Sequence, residues 1–362
     1  MLTFELVGNL LRWSILPLLA GCLDPVGFQG GRDAAADAVI DAGTDAVDGG
    51  FDAEPPVCEP TRWPDTPSGP GGLERMERYF ALRDVVLDQG AALARIGWDL
   101  DGLCTADAAS RGCRGDAIDS FAPDGRAGLD NAFGTMVLPA ITAVRSDLER
   151  TVRDRMENGE TLILGIRDWN GTDTDSEVTF SMVRTAGLAD GREEPRWDGT
   201  DRYLQDEDGF IDIGPLTDNK IIDKGAYLID GVLVGRIPER QPVVFPWLDG
   251  STIGLTLLDG QVTARLGPDL QTLSEVWITG RMSVFDVRRM WDEAGFCEGD
   301  DIRRIVDASV NEALDMLIND GISGADIFCD AISIGIEFRA RQVELGDRGP
   351  VERPNQCDDN ET

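Results

Sequence analysis

The residues of this sequence that could do chemistry are mainly carboxylates. The 362-residue chain has 67 Asp and Glu residues against 33 Lys and Arg residues, a formal net charge of −34, and no histidine. Without an imidazole, Ser-His-Asp and Cys-His nucleophiles and His-ligated metal sites are excluded. The negative charge also makes nucleic acids and anionic membrane surfaces poor partners, so we expect no nucleic-acid binding. The remaining chemistry is binding of a hard cation, or hydrolysis by two carboxylates.

One acidic segment has spacing that suits a calcium loop. Asp99 and Asp101 lie two positions apart, directly before a glycine, in the segment WDLDGLC, so both carboxylates can reach one cation from a turn. Further oxygen ligands follow downstream, and the complete predicted calcium site consists of Asp99, Asp101, Asp124, Asp130 and Asn131. The alternative is that Asp99 and Asp130 only cap turns and a helix, because the glutamate that closes an EF-hand loop is missing.

Two other acidic segments offer weaker candidates. Oxygen ligands at alternate positions would suit calcium at Asp168, Asp173, Asp175 and Glu177, and again at Asp206, Asp208 and Asp212. In a chain of this charge, however, acidic loops are also the expected solvated surface.

Carboxylate pairs also allow a hydrolase interpretation. Asp168 with Glu177, or Glu275 with Asp286, could act as acid and base. The sequence gives no separation and no pKa argument for either pair, so catalysis is the less favoured interpretation.

Two tryptophans are candidates for ligand binding. Trp169 and Trp197 lie beside Asp, Asn or Gly in predicted loops, where an exposed aromatic ring could stack on a sugar. Trp277 alternates with Val276 and Ile278, which predicts a half-buried position in a strand. Membership of the core is the alternative for each tryptophan.

Hydrophobic periodicity predicts two long helices that would have to position these groups. Apolar residues spaced by three or four predict a helix over 129–157, with Pro139 kinking or splitting it. A second apolar stripe, from Ile302 to Ile318, predicts another amphipathic helix.

Alternating patterns predict the strands. Segments 162–166 and 178–182 are expected to pair in antiparallel fashion. Several strand-like runs follow between Gly225 and Phe285, where Asp259-Gly260 has the composition of a hairpin turn, and a last strand begins at Ala331. The sequence therefore predicts an α+β fold: a mostly antiparallel sheet or sandwich with two or three packed amphipathic helices.

The first residues have the pattern of an export signal. Arg12 precedes an apolar run from Trp13 to Ala20, which is too short to span a bilayer. The motif Leu19-Ala20-Gly21-Cys22 resembles the lipobox of bacterial lipoproteins. The resemblance implies cleavage before Cys22, lipidation of that cysteine and, because Leu23 follows it, an outer-membrane location with the lipid as the membrane partner.

Composition divides the chain into three parts. Residues 1–21 form the signal peptide, residues 22–57 the lipidated cysteine with an acidic tether, and residues 58–362 a single disulfide-linked α+β domain. The tether is built from Asp, Ala and Gly and has too few apolar groups to fold. Its D-A-x-x-D-A pattern could alternatively bind cations.

Six cysteines follow Cys22, and an even number in an exported chain predicts three disulfides. The expected pairs are Cys104 with Cys113, Cys297 with Cys329 and, by elimination, Cys58 with Cys357. The absence of a C-x-x-C motif argues against a thioredoxin-like role and against zinc.

Together these observations predict an outer-membrane lipoprotein that acts as a non-catalytic binding or interaction module. Structural calcium is its expected cofactor, and a glycan or a protein its expected ligand. The first alternative is a lipid-carrying lipoprotein, in which helices on a curved sheet enclose an apolar groove. The second is a carboxylate-based hydrolase.

Overall fold

In the computed structural model, the alternating segments build one large antiparallel sheet. The structure describes residues 61–69, 75–87, 96–104, 112–114, 124, 128–213, 216–319, 326–351 and 357, all within a unit that spans Pro55–Thr362. Its strands are β1 (Met76–Val86), β2 (Leu162–Trp169), β3 (Asp175–Leu188), β4 (Arg202–Asp206), β5 (Phe210–Ile213), β6 (Leu216–Asn219), β7 (Ile221–Ile229), β8 (Val232–Arg236), β9 (Pro242–Pro246), β10 (Thr252–Thr256), β11 (Leu258–Leu266), β12 (Thr272–Ser283) and β13 (Ala331–Gly349). The predicted α+β class with a mostly antiparallel sheet is confirmed.

Eight of these strands form a closed ring. Each strand pairs in antiparallel fashion with its neighbours in the order β1, β2, β3, β7, β8, β11, β12 and β13. The last strand pairs back with the first, from Tyr79 opposite Val343 to Val86 opposite Glu337. Closure satisfies the backbone groups that an edge strand would leave open.

Apolar side chains fill the interior of the ring. Phe80, Phe180, Ile278 and Phe338 come from four different strands, and each is completely buried in one continuous cluster. The predicted pairing of the segments around 162–166 and 178–182 is confirmed as β2 with β3. Because the interior is packed with side chains, the ring forms a core rather than a lined groove.

Long connections gather at one end of the ring. The ring strands are joined there by residues 87–161, 189–220, 237–257 and 284–330, whereas the opposite end has the short turns 170–174, 230–231 and 267–271. The long connections contain a π-helical turn (Phe133–Val137), the helices α1 (Leu138–Val144), α2 (Leu148–Glu157), α3 (Val284–Glu293) and α4 (Asp301–Glu312), and the β9–β10 hairpin. Their apolar faces join the core of the ring.

A second, smaller core lies on the outer face of the sheet. The end of β13 pairs with β4 in parallel, and β4 also pairs with the end of β3. Outward-facing side chains of β1, β2 and β3, such as Ala81, Ile163 and Val183, pack there against Tyr203 of β4.

The helices differ in their bounds from the predictions. Pro139 lies in the first turn of α1, which follows the π-helical turn Phe133–Val137 without interruption, so the helix continues through it. The break comes instead at Arg145, between α1 and α2. Helix α4 ends at Glu312, so the predicted stripe to Ile318 continues into a non-helical segment. Among the described residues, no helix has the length and apolar character needed to cross a bilayer.

One local prediction between β10 and α3 is wrong. Asp259-Gly260 does not form a hairpin turn but lies inside β11, where the register with β12 shifts by a bulge. The last strand predicted before Phe285 is β12, which ends at Ser283, where the Ser283 side chain accepts a hydrogen bond from the backbone N–H of Asp286 and caps helix α3.

The disulfides are formed, but with other partners than those predicted. Cys113 pairs with Cys329, with 5.2 Å between the Cα atoms, and Cys297 pairs with Cys357, at 5.4 Å. The predicted pairs Cys104–Cys113, Cys297–Cys329 and Cys58–Cys357 are therefore wrong. Cys113 lies against Cys329 because residue 114 forms a bridge with residue 328, an arrangement that joins segments 216 positions apart and that loop length alone does not reveal.

The disulfide assignment predicts specific linked peptides. Non-reducing proteolysis and mass spectrometry should recover peptides joined through Cys113–Cys329 and through Cys297–Cys357. Replacing Cys113 and Cys329 together with serine should lower the free energy of unfolding by about 2–5 kcal/mol, since the unfolded chain regains the freedom of a long loop. A peptide joining Cys104 to Cys113 would contradict the assignment.

Candidate functional site

Three of the predicted calcium ligands come together. Asp99, Asp101 and Asp130 each place a carboxylate oxygen within 4.8 Å of the other two. Asp99 and Asp130 are almost completely buried, whereas Asp101 is exposed. The cluster is thus buried on the side of Asp99 and Asp130 and faces solvent on the side of Asp101.

The backbone fixes the two buried aspartates beside each other. Trp98 and Asp130 form an isolated antiparallel bridge, in which the Asp130 N–H donates to the carbonyl oxygen of Trp98 at 3.0 Å. Gly97 has a φ of +135°, and a Cβ atom there would lie 2.7 Å from the Asp130 carbonyl oxygen. A glycine is therefore required for the two segments to approach this closely.

Each carboxylate accepts one backbone hydrogen bond. Gly102 N–H donates to Asp99 Oδ1 at 2.6 Å, Leu103 N–H to Asp101 Oδ1 at 2.8 Å, and Leu100 N–H to Asp130 Oδ2 at 2.6 Å. These bonds orient the side chains as turns of this kind do. The second oxygen of Asp99, Oδ2, is buried and has no hydrogen-bond partner within the described residues. A buried acceptor without a partner is unfavourable unless another group satisfies it.

Burial and like charge raise the pKa values of the cluster. The pKa of Asp130 is raised far above its ordinary value, first by burial and then by the negative charges of Asp315, Asp101 and Asp124. Burial is also the main cause of the raised pKa values of Asp99 and Asp101. Burial and repulsion between the carboxylates therefore disfavour the ionised forms of the cluster unless a cation offsets them.

Asp315 belongs to the same electrostatic environment. Burial raises the pKa of Asp315 to about 7, although the Ser333 side chain and backbone N–H both donate hydrogen bonds to it. Sequence reasoning missed this residue, because it lies 185 positions after Asp130 in a segment predicted to be helical, with no local signal.

Asn131 has a different role from the predicted one. Its amide oxygen accepts hydrogen bonds from the N–H groups of Gly134 and Gly335, and its amide nitrogen donates to the carbonyl oxygens of Ile96 and Gly335. Asn131 thus joins three backbone segments rather than facing the cluster. Asp124 is outside the group of three, although its charge raises the pKa values of Asp130 and Asp315.

A cavity adjoins the cluster. It has a volume of about 280 Å³ and its lining includes Arg62, Asp101, Arg281 and Asp315. Arg281 donates hydrogen bonds to the Leu317 carbonyl oxygen and to Asp259 across the strands. Asp101 thus borders both the cluster and the cavity.

The other acidic segments are not gathered into such clusters within the described part of the chain. Asp175 accepts hydrogen bonds from the N–H groups of Asn170 and Glu177, and Asp206 accepts one from Asp208 N–H. Asp168 accepts a hydrogen bond from the Thr179 hydroxyl. These carboxylates stabilise local turns and strands.

The carboxylates of the second hydrolase pair are each engaged with a separate arginine. Glu275 accepts a hydrogen bond from Arg265 Nε at 2.8 Å. Asp286 interacts with Arg289 and with the Ser283 hydroxyl at the start of α3. Each carboxylate thus has its own local structural partner.

The two predicted ligand-binding tryptophans lie in different environments. Trp169 is completely buried and donates to the Thr172 carbonyl oxygen, so its prediction as an exposed platform is wrong. It belongs to the end of β2, where a register shift against β1 and the positive φ of Asp168 (+59°) interrupt the alternation, so that Trp169 joins the core of the ring. Trp197 is half-buried: its ring packs near Tyr203 and under Arg83, and its N–H donates to Glu157.

No protein-family model matches the chain, and comparison with curated proteins and with solved structures also gives no match. Functional inference therefore depends on the site itself.

The raised pKa values predict how stability depends on pH. A carboxyl group whose pKa is higher in the folded than in the unfolded chain binds protons more strongly when folded, so stability falls as pH rises. With calcium removed by a chelator, the free energy of unfolding should decrease from about pH 4, where unfolded aspartates titrate, through the folded pKa of Asp315 at about 7 and onward to the higher folded pKa of Asp130. Urea titrations at several pH values measure this slope.

Asp130→Asn should make that slope shallower, since it removes a buried titrating group and keeps an oxygen that can accept from Leu100 N–H. The matched control is Asp175→Asn, a buried carboxylate outside the cluster. An equal slope in wild type and Asp130→Asn would contradict the electrostatic account.

Proposed function

We propose that this chain is an exported, lipid-anchored binding module in which Asp99, Asp101 and Asp130 hold a structural calcium ion. The observation that carries the proposal is the buried Asp99 Oδ2, which lacks a hydrogen-bond partner within the described residues and belongs to a group of three converging carboxylates. A cation would satisfy that oxygen and offset the repulsion between the aspartates.

The donor set fits calcium. Calcium takes oxygen ligands at about 2.3–2.6 Å, so two ligands on opposite sides of one ion lie about 5 Å apart. The cluster oxygens are within 4.8 Å of one another, and exposed Asp101 leaves room for water to complete the coordination. Magnesium requires stricter octahedral geometry and retains its water more strongly, so calcium is the better match.

The ion would have a structural rather than a chemical role. Asp99 and Asp101 lie in the segment 96–104, and Asp130 lies in the segment that leads to the π-helical turn. A bound cation would join these two segments beside the backbone bridge of Trp98 and Asp130. It would thereby stabilise a surface made of loops, which is where binding functions are commonly located.

Export and anchoring are supported by independent features. Leu19-Ala20-Gly21-Cys22 resembles a lipobox, and an Asp-, Ala- and Gly-rich tether follows it; both lie outside the described residues. The disulfides Cys113–Cys329 and Cys297–Cys357 suit an oxidising compartment. A lipidated cysteine followed by a tether would hold the domain at the outer membrane.

Calcium binding is tested by thermal unfolding of the purified full chain with calcium, magnesium or a chelator. Calcium at about 100 times its dissociation constant should raise stability by about 2.7 kcal/mol, and magnesium should not reproduce that shift. Asp99→Asn should abolish the calcium-dependent shift, because it removes a ligand charge from the buried side of the cluster.

Asp175→Asn is again the matched control: its turn is weakened, but the calcium-dependent shift should persist. Equal unfolding temperatures in calcium and chelator for the wild-type chain would refute the proposed ion site.

Lipid anchoring has its own test. When the full-length gene is expressed in a Gram-negative host, the wild-type chain should fractionate with membranes, and Cys22→Ser should be released into the soluble fraction, because the acyl chains are its only proposed membrane contact. Membrane association of the exported Cys22→Ser variant would contradict the anchor.

A further inference from the structure

A small pocket on the outer face of the ring is separate from the cation cluster. Its lining comes from β8, β11 and β12, and from the segments before β1 and around Trp98, and its volume is about 100 Å³. Two tryptophans form its aromatic part: Trp98 and Trp277 have ring centroids 5.2 Å apart and planes tilted by 55°. Both rings are partly exposed.

The tryptophans face outward because of strand alternation. Val276 and Ile278 point into the ring and are completely buried, so Trp277 between them lies on the opposite face. The indole N–H groups of Trp98 and Trp277 have no acceptor within the described residues. These two N–H groups are buried, so the part of each tryptophan available to a ligand is its aromatic surface, which suits stacking on a sugar ring.

An exposed ion pair forms the polar side of the pocket. Arg265 Nε donates to Glu275 Oε2 at 2.8 Å, and about half of each side chain is exposed. The arginine retains further N–H donors and the glutamate a second oxygen acceptor. A donor and an acceptor side by side match the paired hydroxyl groups of a sugar.

The backbone at this ion pair is irregular. The β11–β12 register shifts between Thr263 and Arg265, and the β12–β13 register shifts between Leu273 and Val276. Within that interval Glu275 has a φ of +47°, a left-handed conformation that is unfavourable for a residue with a side chain. Bulges redirect side chains, and strained residues of this kind are found at binding sites.

We propose that this pocket binds a neutral sugar ring, stacked on Trp277 and Trp98 and hydrogen-bonded by Arg265 and Glu275. The arginine and glutamate neutralise each other, so the pocket has no charge of its own with which to attract an ion. A chain of net charge −34 repels anionic ligands. Because the pocket is small, a sugar ring would stack across its aromatic side rather than be enclosed, and a protein interface would need a much larger surface.

The pocket is linked to the cation cluster through Trp98. The Trp98 carbonyl oxygen accepts from Asp130 N–H, and the next residue, Asp99, contributes to the cluster. This part of the inference rests on the proposed function: a calcium ion that orders segment 96–104 would also position the Trp98 ring. Calcium should therefore strengthen sugar binding without contacting the sugar.

The test uses the full chain in calcium on an array of neutral oligosaccharides of glucose, galactose, mannose and N-acetylglucosamine. Any oligosaccharide that binds is then titrated while tryptophan fluorescence is recorded. Trp277→Ala should lower the affinity about tenfold, since stacking supplies about 1 kcal/mol or more. Glu275→Gly should also weaken binding, and it should leave the fold intact because glycine adopts the left-handed conformation without strain.

Trp197→Ala is the matched control, because this half-buried tryptophan packs near Tyr203 in the other outer cluster. Binding that survives in Trp197→Ala and falls in Trp277→Ala and Glu275→Gly supports the proposal. Binding lost only in Trp197→Ala, or no binding by any neutral oligosaccharide, overturns it. The calcium-dependent thermal shift is measured in parallel, so a failed sugar site is distinguished from a failed ion site.

Discussion

The pairing of β1 with β13 is the constraint on which the rest of the structure depends. These strands lie at opposite ends of the described chain, and their ladder closes eight antiparallel strands into a ring. Because the ring strands follow one another in sequence, successive connections alternate between its two ends. The long connections, including every helix of the described residues, consequently emerge at the same end. Closing the ring requires contacts between residues far apart in sequence. We therefore expect this topology to form more slowly than a helical protein of similar size.

The sequence was sufficient to predict the α+β class of the fold, but not the closure of the sheet into a ring. Period-two alternation marks β2, β3 and β13 because one face of each strand is buried in the ring. The same dipeptide, however, has two outcomes: Asp230-Gly231 forms the turn between β7 and β8, with both residues at positive φ, whereas Asp259-Gly260 continues a strand. The difference lies in a distant partner: Gly280 of β12 lies so close to Gly260 that a Cβ atom on Gly280 would be 3.1 Å from the Gly260 Cα. Local composition does not encode that approach.

The candidate site shows the same division between local and distant information. The spacing of Asp99 and Asp101 was visible in the sequence. In the structure each of these carboxylates accepts a hydrogen bond from a backbone N–H two or three residues later. The contribution of Asp315 was not visible in the sequence, since only the fold brings it beside Asp130. Cysteine pairing failed for the same reason: a separation of 216 positions between Cys113 and Cys329 carries no local signal. Trp169 illustrates the opposite error: polar neighbours suggested exposure, whereas a bulge at Asp168 that neither composition nor alternation reveals turns the indole ring into the core.

Consecutive residues of segment 96–104 contribute to two different sites, the outer pocket and the acidic cluster. Trp98 contributes its ring to the outer pocket, Asp99 contributes its carboxylate to the acidic cluster, and a single backbone bridge to Asp130 holds both. Gly97 allows that bridge, since any side chain there would meet the Asp130 carbonyl group. A rotation of the segment that opens one site must therefore disturb the other. If each site binds a ligand, thermodynamic linkage requires the coupling to be reciprocal: occupancy of the pocket must raise the affinity of the cluster for its cation by the same factor.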